Sequence, residues 1–556
     1  MSTSAQASRA FGRTGVRVLR AAGVLLTAAA VTTATACGGT KGGVATTSGK
    51  TNIIQMGTIN PPSGFNPINQ SDVGGQWALG FELDTLLVQP NALDFQPKLA
   101  NSFETTDDQN FTIKLNPKAT WSDGKPVTAQ DVVFTLNLIA NPDSATAYGG
   151  DIATFKGVDP VTGKLPKGQT KIPGLTAVDD HTVKFQTATK VDPNLVKELV
   201  GTKILIIPEH VLSTIKPADF ANSDYAKSPT VTDGPYKLTK YTANVSIEFT
   251  ANEKYYLGAP KIKTFIQKIM PASDLAGELQ TNTIQANSSG GIGNIPIQDL
   301  KTVKAMKNVT TTVSPTIGFQ TILFNTKVFK SVKMRQGLAH AINRPQMISQ
   351  LLKGNGQIID GPYTSQSPYL DKSLKVTSYD PALAKKLIKE SGWDMNTKIK
   401  FLIPTGNQIR EEAGDIMAQN FKDIGLNVQV TKYDFPTVLS MEQKGNYDLG
   451  LLGLTFNVDP DVTSLYASTG SFNFTGYDDP ESDKLLKEGK TEPDPNKRKA
   501  IYAKLQKIWQ QDMPLLSTYS DDNISAKSKS LKVGGATPFW YGTTANLQDW
   551  EFSGAQ

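Results

Sequence analysis

The alternation of strands and helices between residues 398 and 454 constrains the fold more than any other feature of this sequence. An apolar strand at 398–403 precedes a long helix at 409–424, whose apolar residues recur every three or four positions. A strand with alternating apolar and polar residues follows at 426–430, and another apolar strand occupies 448–454. Helices between successive strands make right-handed crossovers, so the sequence predicts an α/β fold with a mainly parallel sheet.

A second informative stretch runs from Ile317 to Gly354. It begins with an apolar strand at 319–324. Ser331 then has the character of an N-cap, and the apolar residues that follow it recur at helical spacing. Pro345 suits the first turn of a second helix, which Gly354 ends. The sequence therefore predicts a strand followed by two consecutive helices.

This strand and the Phe324-Asn-Thr turn after it resemble the solute-binding proteins of bacterial ABC importers, in the oligopeptide- and dipeptide-binding family (extracellular solute-binding protein family 5). Four further blocks are similar to motifs of that family: Phe65-Asn-Pro, the WSDG-x-x-x-TA-x-DV block at 121–132, Gly234-Pro-Tyr and Asn473-x-Thr-Gly-Tyr. The resemblance covers nearly all of the chain after residue 52. It implies a two-lobed periplasmic-binding-protein-like α/β fold (type II, cluster C), with an extra subdomain in the N-terminal lobe and a hinge of two strands.

The 556 residues are too many for a single hydrophobic core, so several domains are expected. The predicted division is a signal peptide at 1–36, a flexible tether at 37–51, an N-terminal lobe made of 52–90, 225–315 and 520–556, its extra subdomain at 91–224, and a C-terminal lobe at 316–519.

The first 37 residues read as a targeting segment. Four arginines between Arg9 and Arg20 precede an apolar stretch at 21–34, which is too short to span a bilayer. The sequence Ala34-Thr-Ala-Cys37 is similar to a lipoprotein cleavage site, although leucine is usual where Ala34 stands. Cys37 is the only cysteine, which suits a lipid anchor and excludes an intrachain disulfide. We therefore expect an extracytoplasmic protein anchored through Cys37 to the outer face of the cell membrane; the alternative is an ordinary signal peptide with an incidental cysteine.

Composition argues against several other classes of function. Removing the four arginines of the leader lowers the formal net charge from +6 to +2, and the remaining basic residues form no stripe with aromatics, so we expect no nucleic-acid partner. His181, His210 and His340 are far apart, and a single cysteine cannot build a thiolate metal site. The glycine-rich run at 43–51 has one residue too many for a phosphate loop. The sequence thus predicts no enzyme activity, no metal and no cofactor.

A binding function requires a concave site with aromatic walls and a few polar anchors. Two lobes that close on a solute place such a site beside the hinge strands and at the strand ends that face the cleft. The predicted ligand contacts are Asn66, Trp77, Phe319, Gln320, Phe456, Asn457, Asp459, Trp540 and Tyr541.

The sequence departs from the peptide-binding members of the family at two positions. Those members hold the ligand's α-amino group with an aspartate a few residues before an Asp-Pro or Glu-Pro pair, and here that register holds Phe456 or Asn457. Asp459 is the possible substitute, about two residues away. Dipeptide binders also hold the ligand's carboxylate with an arginine early in a strand-to-helix loop, whereas Arg410 comes late in the loop at 404–410.

Three hypotheses follow. The first is a lipid-anchored, monomeric binding subunit of an ABC importer that captures an oligopeptide and delivers it to permease subunits in the membrane. The second is the same transport role with an oligosaccharide or another polar solute as the ligand. The third, of a different class, is a surface enzyme or a non-transport sensor on the same fold.

Overall fold

The computed structural model describes residues 52–70, 72–288, 292–537 and 542–554. The predicted signal peptide, the tether with Cys37, and the candidate contacts Trp540 and Tyr541 lie outside the described residues. Within the described ranges, none of the helices has both the length and the apolar character needed to cross a bilayer.

The strands are numbered in chain order. They are β1 Ile53–Thr58, β2 Leu87–Asn91, β3 Asp94–Pro97, β4 Ala100–Thr105, β5 Asn110–Leu115, β6 Thr176–Asp179, β7 Thr182–Gln186, β8 Tyr236–Thr242, β9 Ser246–Ala251, β10 Thr264–Ile269, β11 Ala286–Asn287, β12 Val309–Ser314, β13 Gly318–Phe324, β14 Gly356–Gln357, β15 Lys398–Thr405, β16 Asn427–Asp434, β17 Leu449–Thr455, β18 Leu515–Asp521, β19 Asn523–Ser528, β20 Leu531–Val533 and β21 Glu551–Phe552.

The α-helices are numbered in the same way. They are α1 Val73–Glu82, α2 Ala129–Ala140, α3 Pro193–Val196, α4 Glu209–Leu212, α5 Asp224–Lys227, α6 Leu275–Gln280, α7 Leu300–Ala305, α8 Val332–Ala341, α9 Arg344–Gln346, α10 Pro381–Glu390, α11 Gln408–Asp423, α12 Phe435–Gln443, α13 Thr463–Tyr466, α14 Pro480–Thr491 and α15 Pro495–Asp512. Short π-helical turns follow α3 at Lys197–Gly201 and α9 at Met347–Leu351.

The N-terminal lobe is built on a seven-stranded sheet with the order β12-β19-β11-β1-β10-β9-β8. Its first strand, β1, runs parallel to both β10 and β11. A four-stranded antiparallel sheet, β4-β5-β7-β6, forms the extra subdomain. Both sheets contribute to one continuous apolar core, in which Phe265 of the large sheet and Phe111 of the subdomain are buried. The subdomain therefore shares its hydrophobic core with the rest of the N-terminal lobe.

The C-terminal lobe is built on a six-stranded sheet with the order β14-β18-β13-β17-β15-β16. The predicted crossover is confirmed, because β15 runs parallel to β16 and to β17. The prediction of a mainly parallel sheet is wrong, since β13 pairs antiparallel with both β17 and β18. The reason is that β13 brings the chain into this lobe and β18 takes it out, so these two neighbours run in opposite directions.

The chain passes between the two large sheets twice. Residues 315–317 join β12 to β13, and Asp522 alone separates β18 from β19. The two passages are bonded to each other at the crossing, where the Ser520 hydroxyl donates to the Gly318 carbonyl at 2.6 Å. The two-lobed fold with a two-strand hinge, expected from the resemblance, is thus the architecture observed.

Trp121 is a core residue and not a ligand platform. Its side chain is buried, and its indole N–H donates to Asp131 at 3.2 Å. The same carboxylate accepts from the N–H of Thr128 at 2.8 Å, as a capping box requires at the start of α2, and its other oxygen accepts from the N–H of Glu209 at 2.8 Å. One buried carboxylate therefore joins the tryptophan, a helix start and a distant loop.

We expect Asp131→Ala to lower the free energy of unfolding by about 3 kcal/mol, because it removes a helix cap and leaves buried donors without an acceptor. Equilibrium urea unfolding followed by tryptophan fluorescence measures this loss. Asp131→Asn is the matched variant, and since it keeps one acceptor oxygen it should lose clearly less. A loss below about 1 kcal/mol for Asp131→Ala would show that the hydrogen bonds of this carboxylate to Trp121, Thr128 and Glu209 contribute little to stability.

Candidate ligand-binding cleft

A cavity of about 630 Å³ lies where the N-terminal lobe, its subdomain and the C-terminal lobe meet. This volume lies within the range of sites that bind small solutes. Its lining residues come from α1, from β2, from the subdomain and from the loops after β17: Gln70, Gln76, Trp77, Gly80, Leu83, Thr85, Leu87, Val88, Gln89, Lys98, Ala147, Tyr148, Asp151, Thr202, Lys203, Leu205, Thr455, Phe472 and Thr544. Both lobes therefore contribute walls to one cavity.

Trp77 reaches the cavity from α1. Asp72 begins this helix by accepting from the N–H of Gly75 at 2.8 Å. The tryptophan is only 2% exposed, yet its indole N–H has no hydrogen-bond partner among the described residues. A buried polar group is normally paired, so this unpaired indole N–H is unusual for a residue that borders the cavity.

Gln89 shows the same property more strongly. It lies on β2, is 1% exposed and lines the cavity. Neither its amide nitrogen nor its amide oxygen has a partner within the described ranges. The amide of Gln89 is therefore a buried polar group that no other described group compensates.

The charged side chains of the cavity wall are all engaged with other protein groups. Lys98 pairs with the buried Asp84 at 3.0 Å. Lys203 lies 3.6 Å from Asp151, and its ammonium donates to the side chain of Asn457 at 2.6 Å. Burial raises the pKa of Asp151, and the charge of Lys203 opposes that shift. The bond to Asn457 joins the two lobes directly.

The segment 192–203, which we call the bridging segment, carries the other bonds between the lobes. Both oxygens of Glu198 accept from the C-terminal lobe, from the N–H of Val458 at 2.8 Å and from the N–H of Asp459 at 2.7 Å. Burial raises the pKa of Glu198 to about 7, although these two donors act in the opposite direction. The lobes are thus held together by polar groups with little exposure to water.

A buried ionic cluster lies beside these bonds. The guanidinium of Arg498, on α15, contacts Asp192 of the bridging segment at 3.2 Å. It also binds both oxygens of Asp459. Asp459 is 5% exposed and is absent from the cavity wall. In this structure the carboxylate of Asp459 serves the junction between the lobes, and ligand contact by Asp459 stays a prediction.

The remaining predicted contacts are distributed as follows. Phe319 and Phe456 stack at 6.2 Å next to Thr455, which lines the cavity. Gln320 accepts from the guanidinium of Arg410 at 2.7 Å. Asn66 is engaged in its own turn, where its side chain accepts from the N–H of Ile68 at 3.1 Å. Ligand contact stays a prediction for six described residues, of which only Trp77 lies in the cavity wall: Asn66, Trp77, Phe319, Gln320, Phe456 and Asn457.

Sequence reasoning did not find Gln89, Lys203, Gln76 or Tyr148, which also line the cavity. No local motif marks these residues. Gln89 comes directly after an apolar run, and a polar residue at that position indicates only the end of a strand. Only the packing of the subdomain against α1 shows that these side chains face one space.

Comparison with known proteins agrees with this architecture. Residues 94–476, more than half of the chain, match the family model described as bacterial extracellular solute-binding proteins, family 5 middle region. The chain therefore belongs to the family 5 extracellular solute-binding proteins, and it is a solute-binding protein of the ABC-transporter type rather than an enzyme.

Among curated proteins, the oligopeptide-binding protein AppA of Bacillus subtilis is 25% identical over 502 residues, which cover 86% of this chain and 88% of AppA. Among solved structures, the ABC transporter substrate-binding protein CtaP of Listeria monocytogenes has a TM-score of 0.79 at 25% identity, covering 91% of this chain and all of that one. NikZ of Campylobacter jejuni, solved with Ni(L-His), has a TM-score of 0.73 at 20% identity and covers 90% of this chain and 99% of that one. The fold thus holds chemically different solutes, and ligand class has to be argued from the cleft.

Proposed function

We propose that this protein is the lipid-anchored substrate-binding subunit of an ABC importer, which captures an oligopeptide between its lobes and delivers it to a membrane permease. The observation that carries the proposal is the cavity of about 630 Å³ with walls from both lobes. A two-lobed protein of this kind encloses the solute when the lobes close. Closure also changes the outer surface of the protein, and a permease can recognise that change. The oligopeptide-binding relative AppA supports the ligand class.

The bonds between the lobes support a closing motion. Glu198, Lys203 and Asp192 of the bridging segment each bond to the C-terminal lobe. Within the described residues, two short passages, 315–317 and Asp522, connect the lobes covalently. Breaking these few polar bonds therefore separates the lobes while the hinge stays intact. Anchoring through Cys37 and an extracytoplasmic location belong to the same proposal and rest on the leader sequence. A monomeric state is proposed with them.

A specific feature favours a second candidate, an importer of oligosaccharides or other polar solutes. The register in which peptide-binding relatives place an aspartate holds Phe456 or Asn457, and the carboxylate of Asp459 is bound by Arg498. The cavity wall instead presents an indole and several amides, including Gln70, Gln76 and Gln89. Aromatic and amide groups suit sugars as well as the peptide backbone.

The two candidates separate in a thermal-shift screen of the mature protein against a random short-peptide library and an oligosaccharide panel. The first proposal expects stabilisation by peptides, which isothermal titration then converts to an affinity. Stabilisation by oligosaccharides alone would replace the first proposal with the second. Cleavage of any bound compound during the titration would contradict both.

A further inference from the structure

We propose that the end of the seven-stranded sheet at which β1 begins is a membrane-contact face, which rests on an anionic phospholipid surface. This face, which we call the basal face, consists of residues 52–53, 252–263, 306–308, 528–533 and 549–551. The inference rests on the proposed function, because such a contact matters for a protein that is anchored at the membrane. It adds the orientation in which the anchored protein stands.

The first step concerns where the N-terminal segment enters the lobe. The carbonyl of Asn52 accepts from the N–H groups of Lys263 and Thr264, at 2.9 Å each, so the chain enters at the basal face. Asn52 lies 15 positions after Cys37, and a chain of that length reaches at most roughly 50 Å. A lipid on Cys37 would therefore hold the basal face near the bilayer at a high effective concentration, where even a weak contact is populated.

The second step concerns the other segments of the basal face, which are bonded to the same end of the sheet. The N–H of Lys529 donates to the carbonyl of Asn308 at 2.8 Å. The carboxylate of Glu551 contacts Lys261 at 2.5 Å and Lys532 at 3.0 Å. The hinge lies at the opposite ends of β12 and β19, so a contact at the basal face leaves the lobes free to open and close.

The third step concerns charge, because the basal face has six lysines and only three carboxylates. The lysines are Lys254, Lys261, Lys263, Lys307, Lys529 and Lys532. The carboxylates are those of Glu253, Asp549 and Glu551. Three of the lysines are exposed and form no ion pair with a described residue: Lys254, Lys307 and Lys529. Lysines held close to an anionic lipid surface each add attraction, so an excess of positive charge on one face favours that surface.

The fourth step concerns exposed apolar side chains on the same face. Ile53 is 47% exposed at the start of β1, and Leu257 and Val533 are 39% and 38% exposed. An isolated apolar side chain on a surface is ordinary, but these three accompany the lysines and the entry of the N-terminal segment. Apolar groups that enter the headgroup region add to electrostatic attraction, which favours a lipid surface over a purely polar polyanion.

Vesicle sedimentation tests the basal face without the lipid anchor. The mature chain carrying Cys37→Ser is mixed with vesicles of phosphatidylglycerol and phosphatidylcholine, or of phosphatidylcholine alone. We expect binding to the anionic vesicles that weakens severalfold as the salt rises from about 0.05 to 0.2 M, because salt screens surface charges. Equal binding to the neutral vesicles, or binding to neither, would overturn the inference.

Substitutions locate the contact. The triple variant Lys254→Gln, Lys307→Gln, Lys529→Gln, made in the same Cys37→Ser chain, should bind the anionic vesicles at least tenfold more weakly. Its melting temperature and its affinity for peptides should not change, because these lysines are exposed and none lines the cavity. Undiminished vesicle binding by this variant would overturn the assignment of the basal face.

The matched control removes the same charge from three exposed lysines of α10 in the C-terminal lobe: Lys385→Gln, Lys386→Gln and Lys389→Gln. This variant should keep its vesicle binding, and an equal loss in both triple variants would show that net charge rather than the basal face is responsible. The result is separable from that of the proposed function: failure to bind vesicles with peptide binding intact overturns only the basal face.

Discussion

Replacing Arg498 by methionine is expected to lower the free energy of unfolding by about 3–5 kcal/mol, the largest loss that a single side chain of this protein should produce. Arg498 is fully buried, and its guanidinium binds the carboxylates of Asp192 and Asp459. A further N–H, at Nε, donates to the carbonyl of Gly489 at 2.8 Å. Methionine fills a similar volume but leaves two buried carboxylates without a cation.

The position of Arg498 makes the stability of the protein depend strongly on its charge. It lies in the first turns of α15, after the N-cap Asp494, where the helix dipole disfavours a positive charge. The two carboxylates, and the rings of Tyr369 and Tyr502 near the guanidinium, offset that penalty. Removing the cation destabilises the folded protein, because the two carboxylates then repel each other in a site of low polarity.

Equilibrium urea unfolding measures the loss. The control is Lys499→Met, at the exposed next position of the same helix, which should change stability by less than about 0.5 kcal/mol. The triple variant Asp192→Asn, Asp459→Asn, Arg498→Met should recover most of the stability, since it removes all three charges together. If the single variant loses less than about 1 kcal/mol, or the triple variant recovers nothing, the cluster does not act as described.

The second large effect concerns the pH dependence of stability caused by Glu442. This residue of α12 is completely buried, and neither carboxylate oxygen has a hydrogen-bond partner among the described residues. Burial raises its pKa to about 8, and the charge of Arg410 opposes that shift. At neutral pH the group is therefore mostly protonated in the folded protein.

The direction of the effect follows from proton binding. Between about pH 4.5 and pH 8 the unfolded chain has released the Glu442 proton while the folded protein still holds it. Stability from this group is therefore fully present below about pH 4.5 and is lost as the pH rises toward 8, by on the order of 3 kcal/mol.

The variant Glu442→Gln has the same shape and no titration. We expect its unfolding free energy to fall less than that of the original protein between pH 5 and pH 8, and to exceed it at the upper end of that range. Urea unfolding at several pH values gives both curves. Glu412→Gln, at an exposed position of α11, is the control and should leave the curve of the original protein unchanged. Parallel curves for Glu442→Gln and the original protein would contradict the raised pKa.

Local patterns were sufficient for much of the secondary structure. Ser331 precedes α8 as predicted, and the aspartates before Pro381 and Pro495 begin α10 and α15 by accepting from N–H groups of the first turn. Such caps and the period of apolar residues are properties of a few neighbouring residues, so they can be read from the sequence.

The helix α1 shows why such reading fails elsewhere. It contains Gly74, Gly75 and Gly80, and glycine is a poor helix former, so the local signal is weak. The tertiary structure requires small residues there: a side chain at position 75 would collide with Gln70, and one at position 74 would lie 3.0 Å from the carbonyl of Asn60. The helix that carries Trp77 is therefore stabilised by its surroundings rather than by its own propensity.

By itself, the sequence determined much of the secondary structure and the parallel strands at 398–454, whereas the family and the two-strand hinge followed from the resemblance of its motifs to known proteins. The tertiary structure alone decided which polar residues meet. Asp192 and Arg498 are 306 residues apart in the chain, yet they form an ion pair. Gln89 borders the cavity only because the subdomain and the lobes pack around it. The physical reason is that periodicity and capping act within one or two turns, whereas ion pairing and burial depend on distance in space.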